Sequence, residues 1–128
     1  MEKIILVGCT ALAAALQLVA ERIVYDFETG DLQGWKVTSG AFERPVTDLA
    51  KEHNTGRPYT KGGKFFLSTL ENKDNRPIDG QTGMIESPTV RLASPEITFK
   101  IGGGRNASFE LVDRASGKVV ASATDDNV

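Results

Sequence analysis

Past residue 22 the apolar side chains recur at every second position instead of every third or fourth. Residues 96–101 show it best: Ile97, Phe99 and Ile101 share one face and Glu96, Thr98 and Lys100 the other, the pattern of a half-buried strand. Comparable runs occupy residues 23–27, 35–38, 64–70, 84–86, 89–92, 109–113 and 118–124. Between them stand Gly30, Gly34, Gly40, Gly62, Gly63, Gly80, Gly83, Pro88, Pro95 and Gly102 to Gly104, residues that make turns and bulges. No segment of this region sustains a helical stripe. Many short strands separated by regular turn signals predict an all-β fold, an antiparallel β-sandwich of jelly-roll type. Residues 109–113 and 118–124, joined across Gly117, read as a β-hairpin. Strand parity assigns the core to Phe27, Trp35, Phe42, Ile97, Phe99, Ile101, Phe109, Leu111 and Val119. Residues 42–63 lack periodicity and read as a long loop, the kind of segment that presents functional side chains.

The first twenty residues differ in kind. Lys3 precedes an apolar stretch from Ile4 to Ala20, broken only by Thr10 and Gln17 among polar residues, and Glu21-Arg22 follows. A short basic start, an apolar stretch and a small residue at Ala20 predict a helical signal peptide over residues 1–20, removed on export. The expected mature part, residues 21–128, has room for one domain. It ends on a polar turn-like run directly after an alternating segment, so the sandwich is expected to be incomplete at its C-terminus and to continue into a further domain of the same protein. The single cysteine, Cys9, lies within Leu6-Val7-Gly8-Cys9, a match to the bacterial lipoprotein box; lipidation there is the one route by which the sequence predicts membrane attachment. Otherwise the location expected is periplasmic, extracellular or cell-surface.

Charge and composition narrow the chemistry. The net charge is −2, with Lys and Arg scattered among nearly equal numbers of acids, so the basic footprint of a nucleic-acid binder is missing. The mature part has no thiol and the chain one histidine, His53, in the charged loop, where it reads as a solvated residue. One histidine without a Gly-x-Ser-x-Gly elbow does not make a nucleophilic triad, and one histidine without cysteine does not fill a tetrahedral zinc site. Gly102-Gly103-Gly104 follows a strand pattern but opens no helix, so it is not a dinucleotide loop. The fragment is read as non-catalytic.

Two groups of residues remain as candidate sites. Asp26, Glu28 and Asp31 alternate near a strand end, an arrangement suited to a hard oxygen-seeking ion; Ca2+ is the cofactor expected there, as a staple for a module without disulfides. Asn54, Arg57 and Tyr59 in the long loop, with Asn75, combine an aromatic face with amide and guanidinium donors, the means by which proteins hold sugar rings. Trp35 is assigned to the core instead, because large aromatics dominate small sandwich cores.

Taken together, Tyr25-Asp26-Phe27-Glu28-Thr29-Gly30-Asp31-Leu32-Gln33-Gly34-Trp35, then Gly40-Ala41-Phe42, Gly83-Met84-Ile85-Glu86-Ser87-Pro88 and residues 97–104 form one pattern. It resembles the non-catalytic β-sandwich module, galactose-binding-like, of secreted levanases and related glycoside hydrolase family 32 proteins. The resemblance implies a jelly-roll sandwich attached to a larger exported enzyme, with fructan or another polysaccharide as ligand. The Trp-Met-Asn-Asp-Pro motif that carries those hydrolases' nucleophile is absent, so their activity does not transfer. The function expected is therefore a carbohydrate-binding module; the alternative is a structural or adhesive sandwich with no sugar site.

Overall fold

In the computed structural model, which describes residues 2–9, 22–93, 95–103 and 106–124, period-two segments become strands where a partner edge is open to them. The strands are β1 (Glu2–Cys9), β2 (Lys36–Gly40), β3 (Val46–Thr47), β4 (Phe66–Leu67), β5 (Gly83–Glu86), β6 (Val90–Arg91), β7 (Ala107–Asp113) and β8 (Val119–Ala123). The fold is all-β, with no helix among the described residues.

A six-stranded sheet runs β2-β5-β1-β7-β8, with β6 also paired to β1, and a separate antiparallel pair joins β3 to β4. The β2–β5 and β7–β8 pairs are antiparallel, whereas β1 lies parallel to β5, β6 and β7. The expected hairpin is present: β7 turns into β8 through residues 114–118, with Gly117 at φ +69°. Gly40 closes the end of β2 at φ +67°, and a Cβ there would overlap the Thr82 carbonyl oxygen, so only glycine fits.

Four expectations are corrected. Residues 23–27 form no strand, although their alternation predicts one. The leading segment Glu2–Cys9 is a strand, not a helix; residues 10–21, which hold the rest of the expected signal peptide and its cleavage point, lie outside the described residues. A short apolar run of β-branched residues suits a strand buried between two neighbours as well as a helix, and periodicity alone does not separate the two. Residues 96–101, the clearest strand in the sequence, form none, because β1 and β8 already occupy both edges of β7, and β2 and β1 those of β5. Consequently Phe99, 45% exposed, and Ile101 stand at the surface instead of in the core. Val119 is also exposed, since β8 is an edge strand with little packed on either face.

The core that does form lies between the large sheet and the loops carrying the aromatics. Phe27, Trp35, Phe42, Ile85 and Val90 are buried together, with Ile97, Phe109 and Leu111 packed at its margin. Ile85 is wholly buried at the centre of β5. Trp35 meets Tyr25 and Phe27 edge to face at centroid distances of 5.4 and 5.8 Å, the arrangement the ring quadrupoles favour.

Candidate functional site

Residues 42–81 fold into two small hairpins fastened to the β3–β4 pair. An antiparallel bridge between Lys51 and Pro58 closes the first, and one between Glu71 and Pro77 closes the second. Inside the first, the Glu52 amide donates to the Arg57 carbonyl at 2.8 Å and the Gly56 amide to the Glu52 carbonyl at 3.0 Å. In the second, Asn72 Oδ1 accepts from the amides of Asp74 and Arg76, an Asx turn that lets Asn75 sit at φ +59°. The long loop expected over residues 42–63 is thus an ordered element with its own ladder.

A buried polar contact links the hairpins. Glu71 is 1% exposed, and its Oε1 lies 3.4 Å from Nε2 of His53, whose side chain is 17% exposed. Among the described residues neither Glu71 oxygen nor His53 Nε2 has a hydrogen-bond partner. His53, read from sequence as a solvated loop residue, is instead the inner contact of the first hairpin. Nothing in the alternation marks Glu71 as buried; its one signal is the Asn72 to Asn75 turn that follows, which reverses the chain and carries residue 71 inward.

The four expected sugar-binding residues divide between the hairpins. Asn54 and Arg57 are exposed in the first turn, and their side chains take no hydrogen bond among the described residues. Tyr59, at the base of that hairpin, is half-buried and packs on Phe66 with ring centroids 5.1 Å apart. Burial raises its hydroxyl pKa, and the negative charges of Glu71 and Glu52 raise it further. Asn75 lies at the tip of the second hairpin, where its Oδ1 accepts from Arg44, which also pairs with Asp48 at 2.7 Å. No hydrogen bond joins Asn75 to the other three.

Asp26, Glu28 and Asp31 each hold a separate piece of backbone. Asp26 Oδ1 accepts from the Glu28 amide and Gln33 Nε2, both at 3.1 Å. Asp31 Oδ1 accepts from Thr29 Oγ1 at 2.7 Å and the Gln33 amide at 3.0 Å, bonds that lower its pKa. Glu28 reaches across to residues 63–65, its two oxygens accepting from the Lys64 and Phe65 amides at 3.0 and 2.9 Å. A Cβ at residue 63 would overlap the Glu28 carboxylate, which accounts for glycine there. Among the described residues no three His, Cys, Asp or Glu side chains are grouped so as to hold a metal ion.

A shallow groove of about 310 Å³ lies apart from the hairpins, at the β2–β5 edge, with Lys36, Thr38, Glu86 and Thr89 among its lining. Thr89 is held by Arg114, whose Nη1 donates to its hydroxyl at 2.7 Å. No helix of the described residues is long and apolar enough to cross a membrane. Comparison with protein-family models, with curated proteins and with solved structures found no match to this chain.

Proposed function

We propose that the chain is a non-catalytic carbohydrate-binding module, a jelly-roll sandwich exported by its leading segment and carried by a larger secreted glycoside hydrolase of levanase type. The observation that carries the reading is the first hairpin: the side chains of Asn54 and Arg57 stand exposed with no hydrogen bonds among the described residues, on a turn anchored from below by the buried His53–Glu71 pair. Open amide and guanidinium donors on a rigid element fit the hydroxyls of a sugar, and the free edge of Tyr59 supplies an apolar contact beside them. Asn75 belongs to this site only if Arg44 releases it. A cation at Asp26, Glu28 and Asp31 is secondary to the reading, since these carboxylates already serve the backbone.

One observation favours the alternative of a structural or adhesive domain: Tyr59 packs its ring on Phe66, leaving less of it for a ligand. Titration of the chain with fructans and other polysaccharides separates the two readings. Binding in the micromolar to millimolar range is expected, because a polar ligand gains little beyond the water contacts it gives up. Arg57→Ala and Tyr59→Ala should each weaken it. Absence of glycan binding, or binding indifferent to both substitutions, overturns the site.

A further inference from the structure

Strand β1 is parallel to β5 on one side and to β7 on the other, so β5 and β7 themselves run in the same direction. To lead from one to the other, the chain has to travel back between them, and the returning segment contains residues 96–101. These residues carry the strongest strand pattern in the sequence and yet form no strand, while the gap they span is filled from the far N-terminus. We propose that the gap between β5 and β7 is a strand-accepting slot with two occupants encoded in the same chain, Glu2–Cys9 and residues 96–101, and that the second enters when the first leaves. The inference is independent of the sugar-binding reading.

Topology, faces and charge all fit the second occupant. Entering the slot, residues 96–101 would run antiparallel to both neighbours and turn the mixed sheet into a continuous antiparallel one, with β2–β5 and β7–β8 pairing unchanged. The connections, residues 92–95 and 102–106, have the length of hairpin loops, and the second contains the three glycines. Ile97, Phe99 and Ile101 would join the face of Ile85 and Phe109, and little travel is needed. Ile97 already packs at the core margin, and Phe99 already stacks on Phe109 at 4.3 Å. On the opposite face β1 sets the apolar Ile5 in register with Glu86 on one side and Glu110 on the other. Residues 96–101 would bring Thr98 and Lys100 to that face, a cation among acids in place of an aliphatic side chain. Export with loss of residues 1–20 would then leave the sheet filled.

Amide hydrogen exchange on the full 128-residue chain tests the exchange of strands. In the unaltered chain residues 2–9 should exchange slowly and residues 98–101 fast. Two prolines, Ile5→Pro with Val7→Pro, cannot occupy a central strand and so evict β1. Residues 98–101 should then slow by about tenfold or more while β5 and β7 keep their protection. Residues 98–101 still fast in that variant, or β5 and β7 exposed along with them, overturns the proposal. Adding Phe99→Asp to the two prolines should expose β5 and β7, although Phe99→Asp alone leaves β1 protected. A triple variant that behaves like the double overturns it equally.

Discussion

Glu71 Oε1 and His53 Nε2 stand 3.4 Å apart beneath two hairpins, and neither atom has a hydrogen-bond partner among the described residues. Removing one member leaves the other buried without its polar neighbour, which costs more than replacing both by apolar groups. His53→Ala should cost about 1–3 kcal/mol in denaturant unfolding, and His53→Ala with Glu71→Leu clearly less than the sum of the two single changes. Additive losses would show the two side chains to be uncoupled.

Glu28 fastens residues 63–65 to the turn that follows Phe27, through charge-assisted bonds to two amides. Glu28→Ala should lower stability by about 1–2 kcal/mol and open residues 61–65 to proteolysis. Gly63→Ala should imitate it by displacing the same carboxylate. A cleavage rate at that loop unchanged in both variants would remove the clasp from the account.

The core prediction contrasts two positions. Ile85→Ala, at a wholly buried site, should cost about 2–5 kcal/mol. Phe99→Ala should cost about 0.5–1.5 kcal/mol, the value of its stack on Phe109, as long as β1 holds the slot. Equal losses at the two positions would place Phe99 in the core after all.

Stability should fall at both ends of the pH range. The two tyrosines, Tyr25 raised by burial and Tyr59 raised by burial and by Glu71 and Glu52, both have folded pKa values above the ordinary 10.0. Their contribution is complete below pH 10.0 and is lost as pH rises through the folded values, with tyrosinate absorbance appearing late relative to the unfolded chain. Asp31, lowered by Thr29 and Gln33, and Asp113, lowered by Ser116, act at the other end. Their contribution is present above the ordinary 3.8 and is lost as pH falls through the lowered values. Thermal unfolding followed across pH, with Thr29→Val and Ser116→Ala flattening the acid limb, checks the assignment.

The sequence made the β class legible because alternation is local. The hairpin at residues 109–124, the buried aromatics Phe27, Trp35 and Phe42, and the turn glycines all follow from neighbours a few positions apart. What failed was long-range. Whether residues 96–101 pair depends on which edge is free, and that is decided by Glu2–Cys9, far away in the chain and carrying an apolar run that serves a helix or a strand equally well. The candidate site divides the same way. Exposed Asn54 and Arg57 were readable from a polar turn, but the burial of His53 depends on Glu71 meeting it from another hairpin.

The parallel pairing of β1 with β7 also sets an order in time. Glu2 aligns with Ala107, about a hundred residues later, so this segment is made well before the strand it pairs with along most of its length. At about 5–20 residues per second, several seconds pass before Ala107–Asp113 follows it out of the ribosome. Until Gly83–Glu86 has been made, Glu2–Cys9 has no partner in the sheet and is open to any factor that meets a nascent chain. Capture by such a factor therefore competes with the complete set of β1 pairings only once Ala107–Asp113 has been made.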